Sequence, residues 1–263
     1  ADAVRATVAE LAPRAVFHLA ALASVGRSWE DPAATIDANV RMTLNVLEAV
    51  RAEAPEAVVV LTGSGEIYGP PARLPVDEDA PLRPQNPYAV SKAACDLLGG
   101  QYADAHGLRV IRTRSFNHAG PGQSDEYVVG TIARQIAEAE RAGEPALLRT
   151  GNPDSRRDFT DVRDVVRAYV AALDLPAGAY NVCSGRSASV RDLVELVRTA
   201  ARVEVHHEVD PARVRAHDVP EIRGSAERLR TASGWEPTIP LAQTIADALE
   251  GWREYLSSRY PIR

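Results

Sequence analysis

Lysine is almost absent from this chain of 263 residues: arginine occurs 29 times and lysine once, as Lys92. Cysteine is also scarce. Cys95 and Cys183 lie far apart in sequence, which is typical of reduced thiols in a cytoplasmic protein. Basic residues are not in excess, and the net charge of -6 argues against a general nucleic-acid binder. No run approaches the ~20 apolar residues that span a bilayer, so no membrane partner is expected.

Metal-ligand spacing is lacking as well. The six histidines form no such pattern, and the adjacent His206 and His207 point to opposite faces of a predicted strand, so we expect no metal site. The residues from Ala1 to Arg5 are typical of a helix rather than of a secretory signal. Apolar residues make up 45% and charged residues 25%, which suits a globular protein of one large or two small domains.

Helix and strand patterns alternate in the first half of the chain. Short apolar runs are typical of strands buried in a parallel sheet, and Asp31-Pro32 and Asn86-Pro87 each supply a helix N-cap and a first-turn proline. Strand–helix–strand repetition predicts an α/β fold whose parallel sheet is covered by helices. The predicted strands are 16–21, 57–62 and 109–116, and the predicted helices are 2–12, 31–52 and 86–105.

The second half is more mixed and contains no repeat or low-complexity linker. Asp161 and Ser189 are good N-cap residues for two of its helices. Helices are predicted at about 126–142, 161–174, 190–201 and 241–258, and short strands at 146–150, 179–183 and 203–209.

The strongest chemical signal is Pro87-Tyr88-Ala89-Val90-Ser91-Lys92. Residues four apart share a helix face, so Tyr88 and Lys92 present a phenol and an ammonium to the same side. A nearby cation lowers the pKa of a phenol toward the working range of a general acid or base. An ordinary surface Tyr and Lys is the alternative. In a chain that elsewhere uses Arg, a single Lys indicates a role for a compact point charge.

A second signal is Leu61-Thr62-Gly63-Ser64-Gly65-Glu66-Ile67-Tyr68-Gly69. It begins at the carboxyl end of the predicted strand 57–62, where ligands bind in open parallel sheets. Ser64 is placed to offer its hydroxyl to an oxygen of a substrate, and Glu66 is a further candidate acid or base. A plain Gly/Ser turn is the alternative.

Later segments carry candidate binding residues. The segment 114–123 also leaves the end of a strand, and its Asn117 could hydrogen-bond a substrate. Arg156 and Arg157 suit a diphosphate, which guanidinium groups bind through charge-assisted forks. The Arg-bearing loop 213–223 is a weaker candidate of the same kind. A structural Asn turn and a solvated charge cluster are the alternatives.

Several of these segments occur together in a known order and spacing. They are His18-Leu19-Ala20-Ala21, the Ser64 loop, Tyr88-x-x-x-Lys92 and Arg157-Asp158-Phe159. They resemble the extended short-chain dehydrogenase/reductases (the NAD-dependent epimerase/dehydratase family) that act on nucleotide sugars, and the similarity covers nearly the whole chain. Within that family the chain is most similar to the reductases of GDP-4-keto-6-deoxy-D-mannose, which form GDP-D-rhamnose. The segments behind this narrower similarity are Asn86 to Lys92, Phe116-Asn117-His118 with Gly120-Pro121-Gly122-Gln123, Ala133 to Ala137, Tyr180 to Gly185, Asp210 to Arg213, and Arg223-Gly224-Ser225.

The resemblance implies an architecture with a cofactor. It is a Rossmann-like parallel sheet, incomplete at the N-terminus, with a smaller C-terminal α/β domain for the substrate. A partial cofactor-binding domain would comprise 1–117 and 159–184, and a nucleotide-sugar domain 118–158 and 185–263. Relatives commonly form homodimers through the helices at about 34–52 and 87–105. NADP or NAD would contact Leu19, Ala20, Ala21, Tyr88 and Lys92.

The resemblance also implies a reaction, in which a reduced nicotinamide delivers hydride to C4 of a 4-keto sugar. Tyr88 would give its proton to the developing alkoxide, and Lys92 would support the phenolate. Ser64 would hydrogen-bond the same oxygen. The GDP part would be held by Asn117, Arg157 and Arg223.

One family feature is missing. Members start with a strand and a turn of the T-G-x-x-G-x-x-G type, which brings the cofactor pyrophosphate to a helix N-terminus, and nothing in this sequence matches it. We therefore expect a fragment or partial record that lacks about fifty to sixty residues. Its first strand would have an unpaired edge that ought to be covered, and this chain by itself would bind NADPH weakly or not at all and be inactive.

Two other functions compete with reduction. A GDP-mannose 4,6-dehydratase needs a carboxylate to remove the C5 proton, and Glu66 is in the matching position; an epimerase is a weaker option on the same scaffold. A non-catalytic binding relative is the alternative from another class. It has no need for Tyr88, Lys92 and Ser64 together, so their joint presence argues against it.

Overall fold

The protein, described by a computed structural model over residues 1–214 and 219–259, divides into two compact units. The helices are α1 Asp2–Leu11, α2 Val25–Glu30, α3 Pro32–Glu53, α4 Pro87–His106, α5 Val128–Ala142, α6 Val162–Ala171, α7 Val190–Ala200, α8 Glu227–Ser233 and α9 Leu241–Arg259. The strands are β1 Ala15–His18, β2 Val58–Thr62, β3 Val110–Ser115, β4 Asn117–Ala119, β5 Ala146–Thr150, β6 Arg156–Asp161, β7 Gly178–Val182, β8 Ser187–Ser189, β9 Val205–Val209 and β10 Glu221–Ile222.

The first unit comprises Ala1–Phe116, Val166–Val182 and Gly224–Glu236. Within the described residues its sheet is entirely parallel, in the order β1-β2-β3-β7. All of β2 is buried, as an apolar strand covered on both faces should be. This arrangement confirms the predicted Rossmann-like α/β class. Its core joins α3, α4 and the strands through Leu47, Val50, Val59, Leu61, Tyr102, Leu108 and Val110.

The second unit comprises Asn117–Val165, Cys183–Arg223 and Pro237–Arg263. It contains the strand order β10-β6-β4, with β8 antiparallel to β6, and a separate parallel pair of β5 and β9. The predicted cap of α7 is present as a capping box: Ser189 Oγ accepts a 3.0 Å hydrogen bond from Asp192 N, and Ser189 N donates a 2.8 Å hydrogen bond to Asp192 Oδ2. The core is formed mainly by α5, α7 and α9, among them Ile132, Ile136, Leu193, Val197, Ile245 and Leu249.

The unit boundaries differ from the predicted domains at four places, of which residue 117 and residues 183–184 are small shifts into the second unit and the other two are longer segments. Residues 159–165 lie in the second unit, since β6 pairs with β4 there, at Phe159 and Asn117. Residues 224–236 lie in the first unit, since Ser225 N donates a 2.8 Å hydrogen bond to the carbonyl oxygen of Val76. The domain division implied by the resemblance puts these two segments in the opposite domains. Neither pairing is visible in local composition.

Some elements were predicted with wrong limits or not at all. The strand expected at 16–21 ends at His18, and Phe17 is 39% exposed rather than buried. Neither β6 nor β10 was predicted, because short strands rich in Arg, Asp and Glu lack the apolar alternation that marks a strand. In the described residues β1 pairs with β2 and with no other strand.

Two further findings concern the whole described chain. Across the described ranges, none of the helices has both the length and the apolar character needed to cross a membrane. No disulfide joins Cys95 and Cys183, and both side chains are buried. Residues 215–218, part of the Arg-bearing loop predicted as a binding segment, lie outside the described residues.

Candidate functional site

The helix with the Tyr/Lys motif begins where the sequence predicts. Pro87 occupies its first turn, and Asn86 caps it by accepting a 2.8 Å hydrogen bond from Ala89 N. Tyr88 and Lys92 therefore lie one turn apart on α4, with 9% and 7% of their surfaces exposed. A surface pair on an ordinary helix is excluded by this burial.

Lys92 is anchored to the end of β2. Its Nζ donates a 2.8 Å hydrogen bond to the carbonyl oxygen of Thr62, the last residue of that strand. The Thr62 hydroxyl in turn donates to the carbonyl oxygen of His18 at the end of β1. Burial lowers the pKa of Lys92, because an environment with little water disfavours the charged ammonium. The motif helix is thus joined to the carboxyl ends of two parallel strands.

Ser64 begins a single 3-10 turn, Gly65–Tyr68, directly after β2. Its Oγ accepts a 3.2 Å hydrogen bond from Glu66 N, so the hydroxyl proton can be donated elsewhere. Gly63 is required at the start of the turn: a Cβ there would lie 2.9 Å from the carbonyl oxygen of Thr113. Ser64 is therefore buried and held by its own turn rather than placed on a mobile loop.

Glu66 is half-buried and in contact with the motif helix. Its Oε2 accepts a 3.3 Å hydrogen bond from Asn86 Nδ2, the same side chain that caps α4. The structure therefore brings all four predicted catalytic residues onto two adjoining elements, the turn after β2 and the first turns of α4.

The predicted cofactor residues follow β1. Leu19 and Ala20 are exposed and Ala21 is half-buried, at the carboxyl end of a parallel strand. This is where dinucleotides bind in such sheets, and the exposed apolar Leu19 suits contact with a ring system. The position and exposure of these three residues fit contact with the cofactor. The Gly-rich turn that would hold the pyrophosphate of the cofactor is not in the sequence.

Asn39, which the sequence did not reveal, ties this segment to the motif helix. Its Oδ1 accepts from Leu22 N at 2.7 Å, and its Nδ2 donates to Leu22 O at 3.1 Å and to Ser91 Oγ at 2.9 Å. Ser91 Oγ donates to the carbonyl oxygen of Tyr88. In the sequence, the only sign of this role is that Asn39 is a polar residue beside apolar positions on a predicted helix.

The three predicted substrate residues belong to the second unit and share one sheet. Asn117 starts β4 and pairs with β6 at Phe159, whereas Arg157 lies within β6 opposite Ile222 of β10. Arg223 directly follows β10, and its Nε lies 3.3 Å from Glu221 Oε1. The β10-β6-β4 order therefore brings the three residues to neighbouring strands.

The two adjacent arginines differ in their contacts. Arg156 donates to Ser187 O at 2.8 Å and lies 3.2 Å from Asp192, so it holds β8 and α7 in place. Arg157 Nη1 donates to Ser155 Oγ and to the carbonyl oxygens of Arg156 and Val219. Arg156 and Asp192 form a partly exposed ion pair, whereas Arg157 contacts the residues that precede β10 through the carbonyl oxygen of Val219.

The fold and the paired Tyr/Lys and Ser elements define a nucleotide-sugar-modifying oxidoreductase of the extended short-chain dehydrogenase/reductase type. Residues 1–248 match the family model described as GDP-mannose 4,6 dehydratase, and the chain belongs to that family. This confirms the resemblance read from the sequence.

Individual relatives show which members of the family this chain resembles. The chain is 41% identical over 244 residues to GDP-6-deoxy-D-mannose reductase of Pseudomonas aeruginosa, covering 91% of this chain and 80% of the relative. It is 34% identical to UDP-glucose 4-epimerase of Mycolicibacterium smegmatis, covering 94% and 78%. The solved structure of RMD from Pseudomonas aeruginosa complexed with NADPH superposes with a TM-score of 0.89 at 38% identity, covering 95% of this chain and 86% of that one.

Proposed function

We propose that this protein reduces the 4-keto group of a GDP-4-keto-6-deoxy-hexose with NADPH or NADH, giving a GDP-D-rhamnose-type product. The observation that carries the proposal is the hydrogen bond from Lys92 to Thr62 O. It places the Tyr88 helix at the carboxyl end of β2, and Ser64 follows that strand by two residues. The 41% identity to a reductase of a GDP-6-deoxy sugar supports this substrate class.

The chain's own residues handle the proton and the developing charge. When bound, the reduced nicotinamide supplies a hydride to C4 of the sugar. Tyr88 donates its phenolic proton to the C4 oxygen, and the Lys92 ammonium stabilises the phenolate that remains. Ser64 donates its hydroxyl proton in a hydrogen bond to the same oxygen, which fixes the direction of the carbonyl before reaction.

Leu19, Ala20 and Ala21 would hold the cofactor from the end of β1. Lys92 has three N–H donors, one of which is committed to Thr62, and the others would bind the ribose hydroxyls. Both NADPH and NADH stay in the proposal, because one similar solved structure contains NADPH and another contains NAD.

Asn117, Arg157 and Arg223 would hold the GDP part. Arg157 and Arg223 offer planar donor forks to the diphosphate, which two guanidinium groups on neighbouring strands can bind together. Asn117 offers an amide from the adjacent strand β4 to a polar edge of the substrate.

Dehydration of GDP-mannose is the second candidate, and the observation that favours it is Glu66. A dehydratase needs a base for the C5 proton after oxidation at C4, and this carboxylate follows Ser64 by two residues. The hydrogen bond from Asn86 Nδ2 engages one of its oxygens, while the other can still accept a proton. The name of the matching family model also agrees with this reaction.

A homodimer in the cytoplasm completes the proposal. Val90 and Leu97 are 41% and 61% exposed and lie seven residues apart on α4, so they form an apolar stripe on one face. A second copy of α3 and α4 would cover that stripe in a four-helix arrangement.

The two buried thiols, Cys95 and Cys183, suit the reducing conditions of the cytoplasm.

The test uses protein expressed from the whole open reading frame that contains this sequence. It is incubated either with GDP-4-keto-6-deoxymannose and NADPH or NADH, or with GDP-mannose and NADP. Mass spectrometry then reads the product. Gain of two hydrogens in the first mixture supports the reductase, and loss of water in the second establishes the dehydratase instead. Nucleotide-sugar binding without either change would favour a non-catalytic relative.

A further inference from the structure

Tyr68, at the end of the turn that Ser64 begins, is a buried tyrosine without a role in the reaction proposed above. It is 1% exposed. Its hydroxyl accepts a 2.9 Å hydrogen bond from Arg114 Nη1 and donates a 2.7 Å bond to Asn181 Oδ1. Burial raises the pKa of Tyr68, so the hydroxyl keeps the proton that it donates to Asn181.

Arg114 connects Tyr68 to the motif helix. Its Nε and Nη2 each lie 2.9 Å from a carboxylate oxygen of Asp96 in a bidentate pair, and its Nη1 also donates to the carbonyl oxygen of Glu78. Asp96 lies on α4, one helical turn beyond Lys92. Two hydrogen-bonded steps, Asp96 to Arg114 and Arg114 to Tyr68, thus run from the helix of Tyr88 and Lys92 to the turn of Ser64.

The energetics of this pair favour a geometric role. Arg114 and Asp96 are 6% and 2% exposed, and removing two charges from water is so unfavourable that a buried pair adds little net stability. Although burial opposes the charge, the hydrogen bonds and charge of Asp96 raise the pKa of Arg114, so the guanidinium stays ionised. A rigid, bidentate, permanently charged fork fixes direction more tightly than apolar packing does.

The turn is also held from its other sides. Asn181 N donates a 2.7 Å hydrogen bond to Glu78 Oε1, and Asn181 Nδ2 donates to Val76 O, which fixes the amide that receives the Tyr68 proton. A Cβ on Gly65 would lie 3.0 Å from the ring of Phe116, so the turn cannot shift in that direction. Tyr68 therefore joins the turn to Arg114 on one side and to Asn181 on the other.

We infer that Tyr68 is a positioning residue. The hydrogen bonds from Asp96 to Arg114 and from Arg114 to Tyr68, called the relay below, set the position of the Ser64 turn relative to the helix of Tyr88 and Lys92. Its catalytic meaning rests on the proposed function, because Ser64 and Tyr88 must meet the same substrate oxygen. Its structural content, the two hydrogen bonds that join the Tyr68 hydroxyl to Arg114 and Asn181, does not depend on the reaction.

The first test compares Tyr68→Phe with Tyr169→Phe in protein from the whole open reading frame. Tyr169 is a matched control, because it is also buried and its hydroxyl lies 2.8 Å from Ser115 Oγ in the same unit. Tyr68→Phe is expected to lower kcat roughly ten- to a hundredfold with KM for the GDP-sugar changed less than about threefold. Tyr169→Phe should lose similar stability and keep kcat. Equal kcat in both variants, or equal loss in both, overturns the inference.

The second test reads the turn without reference to activity. Amide hydrogen exchange over residues 64–69 should become roughly tenfold faster in Tyr68→Phe and stay at the wild-type rate in Tyr169→Phe. Unchanged exchange in Tyr68→Phe overturns the inference even if the reductase assay succeeds. If the wild-type protein has no reductase activity, the proposed function fails and this measurement alone decides the positioning role.

A second pair of variants guards against misfolding. Arg114→Lys keeps the charge but loses the fork that spans Asp96 and Tyr68. Arg112→Lys is its control, because Arg112 also contacts Asp96, at 3.2 Å, but has no hydrogen bond to Tyr68. Faster exchange at 64–69 only in Arg114→Lys supports the relay, and the same exchange in both variants overturns it.

Discussion

Tyr88 and Lys92 are each less than a tenth exposed, yet they are held in different ways. Lys92 is tied to a strand end by its Nζ, whereas the backbone of Tyr88 is fixed through Ser91, whose hydroxyl donates to the Tyr88 carbonyl oxygen. The phenol is thus carried by a stretch of α4 whose backbone is held in place.

Tyr88→Phe removes only that hydroxyl. We expect kcat to fall by about 10²–10⁴-fold, because the proton donor is lost, with the melting temperature almost unchanged. Steady-state kinetics and thermal unfolding of the whole open-reading-frame product measure both quantities. A variant that keeps wild-type kcat would rule out the assigned role of Tyr88.

His18 makes stability depend on pH. Burial, and to a lesser degree the charge of Lys92, lowers its pKa from 6.5 to about 4. Between these values the unfolded chain binds a proton that the folded chain does not. Stability is therefore fully present above pH 6.5 and is lost as the pH falls toward 4, by roughly 2–3 kcal/mol.

His18→Gln is the comparison for this effect, since an amide can hydrogen-bond Thr43 as the ring does but does not titrate. Urea unfolding over the same pH range should give a shallower pH dependence for the variant. Parallel curves for the two proteins would mean that His18 is not the titrating group.

At the scale of elements, α4 carries two of the four candidate catalytic residues, and its start depends on one side chain. Asn86 accepts from Ala89 N and donates to Glu66 Oε2, so the same residue caps the helix and fastens the turn after β2. The helix end and the candidate acid–base residue are therefore linked through a single amide.

Asn86→Ala should destabilise the protein by about 1 kcal/mol, because an N-cap acceptor is lost. Asn86→Asp keeps a cap acceptor but loses the N–H that donates to Glu66 and faces that carboxylate with another, so it should also be less stable than the wild type. Chemical unfolding measures both effects. Wild-type stability of Asn86→Ala would contradict the capping role.

The elements that the sequence predicted share a local cause. The helices with Asp31, Asn86 and Ser189 as caps, and the largely apolar β2, are encoded by residues next to one another. Missed elements such as β6 depend on partners far along the chain, since its pairing with β4 and β10 is tertiary. The same contrast applies to the candidate site.

Within the site, the Tyr/Lys pair and Ser64 could be predicted because helical spacing and the end of a strand are local features. The contacts of Asn39 and Tyr68 could not, because their partners Ser91 and Asn181 lie 52 and 113 residues away. Side-chain hydrogen bonds of this range depend on how the elements pack, and no sequence pattern encodes them locally.

At the scale of the whole molecule, the first unit is assembled from three separate stretches of chain. Its strand β7, from the second stretch, pairs with β3 from Ile111 to Ser115. Neither unit is therefore a continuous piece that could be cut out of the sequence, and both must fold from the same chain.

The proposed dimer is a property at this scale. Leu97→Glu places a charge in the apolar stripe of α4 and should convert the dimer to a monomer, as read by sedimentation velocity. Leu147→Glu is the matched control, because Leu147 is also exposed, at 42%, but lies on β5 in the other unit. A Leu97→Glu protein that sediments like the control would place the interface elsewhere.

The anchor of Lys92 has a consequence for how the protein can change over generations. The acceptor is the main-chain carbonyl of residue 62, and every amino acid supplies that carbonyl. Substitution at position 62 can remove the hydroxyl that reaches His18, but it cannot delete the acceptor for the lysine. A saturation library at this position should therefore contain many active members, whereas a library at position 92 should contain almost none.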